Sequence, residues 1–280
     1  MTFEEVIEKF PGRLTKTDRR IVEELLANPR ESALLSLPEI ANRAAAHPTS
    51  AVRLAQKLGY SGYPELRSQL QSEMLDVLPP AERVRARLAH MEGPSILSAL
   101  VESEIAALQD LPRKISQEDI ETAAQAIIRA RRIYVYGRNH AATLKQLLAL
   151  RLQRSGYMAT AIDKHGKELA DELIDMRETD LVIGFAFTKP PEGLEDLLRY
   201  TQNAGALSMI ISDYTGATLR PNPDILLAAS RGERGESQSL TVPLAVCNTL
   251  ILEISRLDDG KSLASLEKLN ELEETFSTGK

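Results

Sequence analysis

The chain has no tryptophan, a single cysteine and only 4% aromatic residues. Each shortage excludes something. With Phe and Tyr sparse and scattered, no aromatic platform for stacking RNA bases is expected. Cys247 cannot close a disulfide within the chain, and its setting, PLAVCNTLILEI, is that of a buried structural thiol. A reducing compartment, most simply the cytoplasm, follows. The longest apolar runs fall well short of the roughly 18–20 residues of a membrane span. The acidic, amphipathic start MTFEEVIEKF does not read as a secretory signal. Positive charge is not in excess either: 34 Lys and Arg stand against 40 Asp and Glu. A protein basic throughout is excluded, but a reader of nucleic acid with its basic residues gathered on one module is not. No cofactor and no metal is expected.

What is present is ordinary globular material, 43% hydrophobic and 26% charged over 280 residues, enough for one large or two ordinary domains. The first part reads as short helices. Leu14, Ile21, Val22, Leu25 and Leu26 share one helix face, opened by Thr15 and closed at Asn28-Pro29. In SLPEIANRAA, Ser36 and Glu39 have capping-box spacing, and Pro38 is tolerated in the first turn. A third helix starts after a very short break, with His47 at the capping position, Pro48 at N1 and Gly59 at its end. Two short helices joined by a turn of a few residues form a helix-turn-helix pattern.

In that motif the second helix enters the major groove, and its first-turn side chains meet base edges. The candidates are His47, Thr49, Ser50 and Arg53, with Lys57 one turn later and Arg43 nearby. Between 43 and 67 the basic residues Arg43, Arg53, Lys57 and Arg67 face one acid, Glu65, which is the sign that release of phosphate counterions requires. Arg53 could read guanine or hold a phosphate; the sequence leaves both open.

Pro79-Pro80 mark a boundary, and 81–130 read as helical again, interrupted at 93–95 and at LPRKIS (111–116), with Ser116 and Asp119 as a further cap. From 132 the pattern changes to apolar runs alternating with helices: RIYVYG, YMATAI, DLVIGFAF, LSMIISD and DILLAAS. Strands apolar on both faces and separated by helices indicate a doubly wound, five-stranded parallel sheet, an α/β domain behind an all-α N-terminal domain. The expected organisation is a helix-turn-helix domain over 1–77, a helical connector over 78–130, the α/β domain over 131–258 and a C-terminal helix and tail over 259–280.

Ligands of such sheets bind beyond the carboxyl ends of the strands. The loops to inspect are 137–141, 163–166, 186–192 and 213–216. They carry Arg138, Asn139 and His140, Lys164 and His165, and Thr188 and Lys189, a cationic and hydrogen-bonding set suited to an acidic ligand. Each alone is an ordinary solvated loop residue. Their recurrence on one edge is what points to a site.

The N-terminal segment resembles the winged-type helix-turn-helix domain of RpiR-family bacterial transcription regulators. The matching residues are Leu14-Thr15, Ser36-Leu37-Pro38-Glu39-Ile40-Ala41, Val52-Arg53, and the block Leu58-Gly59-Tyr60-Ser61-Gly62-Tyr63-Pro64-Glu65-Leu66-Arg67. His47 stands where a Ser or Thr commonly caps the recognition helix. The resemblance implies a SIS (sugar isomerase) domain after the connector, and so covers nearly the whole chain. It implies two hydroxyl-rich phosphate loops, similar to GxGxS and SxSG. Here the first reads Gly137-Arg138-Asn139-His140-Ala141, with alanine in place of serine. The second reads Ala186-Phe187-Thr188-Lys189, with lysine in place of glycine.

The resemblance implies a regulator that binds a double-stranded operator as a homodimer or homotetramer, with no membrane partner. It would answer to a small acidic effector such as a sugar phosphate or sugar acid. Arg138, His140 and Lys189 would restore anion binding by charge, or the effector would be a different molecule. Family isomerases move a proton with a Glu or His. His140, His165 and Glu236 are the residues such chemistry would recruit, with Glu236 also counted at the effector site. An isomerase with a helical extension is the alternative reading, and a DNA-binding protein whose SIS domain only oligomerises is a third.

Overall fold

In the computed structural model the described residues are 3–8, 10–27, 32, 35–67, 69–70, 81, 84–85, 88, 95–164, 166–187, 190–213, 219–229, 231 and 239–277. They fall into two units that divide between Glu102 and Ser103.

The N-terminal unit is built from α1 (Phe3–Glu8), α2 (Lys16–Ala27), α3 (Leu37–Arg43) and α4 (Pro48–Lys57), followed by a further helical stretch at 63–67. Local chemistry starts each of the main helices. Thr15 and Asp18 cap α2 reciprocally: the Asp18 carboxylate accepts the Thr15 N–H at 2.9 Å, and the Thr15 hydroxyl accepts the Asp18 N–H at 3.1 Å. Glu39 returns to accept the Ser36 N–H at 2.7 Å, and Ser36 opens α3. His47 opens α4, with Pro48 in the first turn. Between α3 and α4 the chain turns at Ala45, which takes the left-handed φ of +46°. Phe3, Ile21, Leu25, Ile40, Leu54, Tyr63 and Leu66 form the core. The Tyr63 and Leu66 of the LGYSGYPEL block are thus packing residues, and Glu65 accepts the Ser61 N–H at 2.6 Å. Among the described residues of this unit no strand accompanies the helices, so the wing that the resemblance implies is not formed by them.

The second unit begins within α5 (Ile96–Lys114) and continues through α6 (Gln117–Arg129), β1 (Ile133–Tyr136), α7 (Ala141–Arg154) and β2 (Ala159–Ile162). After a short 3-10 turn come α8 (Leu169–Leu173), β3 (Leu181–Ala186), α9 (Leu194–Asn203), β4 (Leu207–Ser212), β5 (Ile225–Ala228), α10 (Thr241–Leu257) and α11 (Lys261–Ser277). The interruption expected at LPRKIS is present, but not at its proline. α5 runs through the proline to Lys114, and the Ile115 N–H still reaches the Leu111 carbonyl at 3.0 Å. A proline near a helix end removes one bond, to a carbonyl on a turn that water reaches, so the disruption stays small. The break falls at Ser116, where Asp119 and Ser116 cap α6 as the sequence predicts.

The sheet is five-stranded and all parallel, in the order β2-β1-β3-β4-β5. Side chains alternate across it. Ile133, Val135, Ile183, Phe185, Met209 and Ile211 meet α6, α7 and α10 on one face. Tyr134, Tyr136, Val182, Ala186 and Ile210 meet α9 on the other. The connections therefore leave β1 and β3 toward opposite faces. The carboxyl ends of those two strands diverge as the topological switch point where such sheets bind ligands.

Candidate functional site

On the first unit, the N-terminal turns of α4 present His47 and Thr49 to solvent, with Ser50 half-buried between them and Arg53 exposed one turn on. His47 does cap: its Nδ1 accepts the Thr49 N–H at 3.3 Å and lies 2.8 Å from the Thr49 hydroxyl. Arg53 makes no hydrogen bond or ion pair among the described residues. Arg43 lies 3.8 Å from Glu24 on α2. Lys57 is exposed but engaged within the unit. Its ammonium donates to the Arg13 carbonyl at 2.6 Å and to the Asp18 carboxylate at 2.9 Å, so it ties α4 to the start of α2. Burial tends to raise the Asp18 carboxyl, but the Lys57 ammonium and the Thr15 donors outweigh it and hold that group below its ordinary value.

At the carboxyl edge of the sheet, Gly137 leaves β1 in a turn too tight for a side chain: a Cβ there would lie 2.9 Å from the Ala141 carbonyl oxygen. Asn139 takes a φ of +53°, the left-handed region that Asn tolerates best after glycine. The N–H groups of Ala141 and Ala142 donate to the Arg138 and Asn139 carbonyls, each at 3.1 Å. These first-turn donors, which would otherwise face an anion, are partly engaged within the loop. His140 is exposed at the helix start with no hydrogen bond from its ring among the described residues.

Among the described residues, both the lysine and the arginine of the sequence set at this edge are met by an acid. Arg138 Nη1 is 3.4 Å from Glu192 Oε2. Lys164 lies 3.8 Å from Asp171 and 4.0 Å from Glu172, both on α8. Arg138 and Lys164, two of the cations in the sequence set, are therefore members of charge pairs in the fold. Two further cations escaped the sequence reading. Lys145, nearly fully buried on α7, donates to the Ile162 carbonyl at 2.9 Å and to the Asp163 carboxylate, closing the ends of β2 and α7 together. Arg231, beyond β5, places Nε and Nη2 at 2.9 and 2.7 Å from Asp213 Oδ2, at the end of β4. Its guanidinium also sits 4.7 Å from the Phe187 ring centroid, at the end of β3. Lys145 was legible in part, since it occupies a buried place in the helical pattern of Ala141, Leu144, Leu148 and Leu152. Nothing in SRGERG separates Arg231 from its neighbours. His165, Thr188, Lys189 and Glu236 lie outside the described residues.

Comparison with known proteins agrees with this two-part architecture. Residues 1–76 match the helix-turn-helix domain model of the rpiR family, and residues 126–253 match the SIS domain model. The chain belongs to the RpiR family. Together the two models account for more than half of its length. The HTH-type transcriptional regulator HexR of Pseudomonas aeruginosa is 26% identical over 259 residues, which cover 91% of this chain and 79% of that relative. Among solved structures, the sugar isomerase domain of an RpiR transcription factor from Sphaerobacter thermophilus aligns with a TM-score of 0.59 at 25% identity, over 64% of this chain and 99% of that one. The Vibrio vulnificus NanR protein, complexed with ManNAc-6P, aligns with a TM-score of 0.60 at 17% identity, over 92% and 93%. This RpiR-family chain is a transcriptional regulator with a helix-turn-helix and a SIS domain. Among its described residues no helix is long and apolar enough to cross a membrane.

Proposed function

We propose that this regulator binds a double-stranded operator through the first turns of α4 and senses an acidic small molecule, a sugar phosphate or sugar acid, at the switch point of its SIS sheet. The observation that carries the sensing half is the gathering of Arg138, Lys145 and Arg231 on one carboxyl edge, beside the turn at Gly137. The effector residues proposed there are Gly137, Arg138, Asn139, His140 and Lys164, together with His165, Thr188, Lys189 and Glu236. On the operator side they are His47, Thr49, Ser50, Arg53 and Arg43. Lys57 acts through the fold of the domain. The likeness to NanR extends to the fold, and the ManNAc-6P in that complex suggests where a panel of probes should begin.

The functional protein is a cytoplasmic homo-oligomer, at least a dimer, with 1–77 as the DNA-binding part, 78–130 as connector, 131–258 as sensor and 259–280 as C-terminal helix and tail. Supporting self-association, α5 carries Leu97, Val101, Ile105 and Leu108 exposed at helical spacing along one stripe. The crevice is read as a sensor and not a catalyst. The relatives this reading rests on are named as transcriptional regulators. Operator binding measured with and without sugar phosphates and sugar acids tests the proposal. A ligand-dependent change is expected. No change across the panel, with no thermal stabilisation by any member, would leave a DNA-binding protein whose SIS domain only oligomerises.

A further inference from the structure

We infer that Glu192 is a built-in competitor at the anion site: its carboxylate stands at Arg138 where the acidic group of an effector binds, and the effector must displace it. The inference rests on reading the crevice as acid-sensing. It adds a residue that sets the threshold of that sensing.

Among the described residues, the four charge pairs of the carboxyl edge differ in how readily they exchange. The Lys145 ammonium is buried and held by a carbonyl as well as by Asp163. Arg231 and Asp213 are both largely buried and joined through two donors, with Phe187 beneath the guanidinium. Taking one partner from pairs like these leaves a charge stranded away from water. Lys164 is exposed, but it belongs to the loop after β2, the edge strand, and its acids come from the helix that follows in the same connection. Arg138 alone has a partner from across the switch point, in the loop after β3.

That pair is also loose. Arg138 Nη1 lies 3.4 Å from Glu192 Oε2 and 3.5 Å from the Glu192 carbonyl, both near the limit of a hydrogen bond. The Glu192 side chain is 86% exposed, against 31% for Arg138. Glu192 therefore loses little by returning to water, whereas the planar fork of Arg138 suits a phosphate or carboxylate. The backbone beneath is fixed. The Tyr136 hydroxyl donates to the Glu192 carbonyl at 2.5 Å, and Gly193 follows with φ +85°. A Cβ on Gly193 would lie 3.2 Å from that hydroxyl, so the close latch depends on glycine. With the backbone latched, exchange needs only a rotation of the Glu192 side chain.

The test is calorimetric titration of the full-length chain with inorganic phosphate and with glucose 6-phosphate, comparing wild type, Glu192→Gln, Glu192→Ala and Arg138→Gln. Thermal unfolding midpoints check that each variant is folded. Both Glu192 variants are expected to bind about three- to fivefold more tightly, the worth of a solvent-exposed ion pair removed from competition. Arg138→Gln is expected to weaken binding about tenfold or more, as loss of a charged hydrogen-bond donor should. Binding by the Glu192 variants where wild type shows none would also support the inference. If wild type binds and neither Glu192 variant gains affinity, the competitor role is overturned while acid sensing stands. If Arg138→Gln binds as wild type, the anion does not sit at Arg138 and the inference falls. If neither wild type nor the Glu192 variants bind either probe, the inference falls, and acid sensing is decided by the operator-binding panel.

Discussion

Ala45 and Asn139 bear left-handed backbone angles without being glycine, and the two positions carry different penalties. Asn is among the side chains that occupy this region most readily, whereas Ala has no such excuse. Ala45→Gly should therefore stabilise the N-terminal unit by about 0.5–1 kcal/mol net of the extra freedom glycine brings to the unfolded chain, read from the urea midpoint of its transition. Gly137 gives the opposite case. A methyl group there would meet backbone, the Ala141 carbonyl, and backbone cannot step aside as a side-chain tip can. Gly137→Ala should cost about 1–3 kcal/mol, and it should weaken effector binding because the turn itself must open. Asp18 sets a pH dependence whose sign is fixed by its depressed folded-state value. The stabilisation is fully present above the unfolded carboxyl value near 3.8 and is lost as pH falls through the folded one. The N-terminal unit of Asp18→Asn should be less stable than wild type at neutral pH, with the gap closing as an acid titration followed by circular dichroism passes below that range.

At the scale of the elements, α4 divides its charges between two tasks. Arg53→Gln should weaken operator binding, and it should lower the slope of log affinity against log salt by about one, the signature of a lost phosphate contact. Lys57→Gln should instead lower the unfolding midpoint of the domain and leave the salt slope nearly unchanged, because its ammonium is spent on Asp18 and Arg13. The sequence could not separate these two residues, one helical turn apart on the same helix. What it did disclose has a common physical character. Ser36 with Glu39 and Ser116 with Asp119 are partners three residues apart, so their chemistry is written locally. The strands were legible for the same reason, since burial on both faces leaves an unbroken apolar run. The charge pairs of the crevice were not. Lys145 and Asp163 are 18 residues apart, as are Asp213 and Arg231, and Arg138 and Glu192 are 54 apart. Only the parallel order of the strands brings them together. A reading of loops one at a time finds cations and misses the acids that meet them.

For the whole molecule, the self-association proposed above would link two copies of α4 to a two-part operator. A double charge placed on the exposed stripe of α5, Val101→Glu with Ile105→Glu, should convert the oligomer to monomer in analytical ultracentrifugation while the far-ultraviolet spectrum is retained. Loss of operator affinity should accompany it, because two half-sites held together bind far better than one. The single cysteine offers a measure of a different kind. Cys247 is fully shielded on α10, and burial pushes its thiol up to about 12. A thiol reagent added to the folded chain meets no competing thiol and cannot react until the SIS domain opens. Its rate of modification is thus an internal clock for that opening. An effector that seats itself on the carboxyl edge should slow the clock without touching the sulfur.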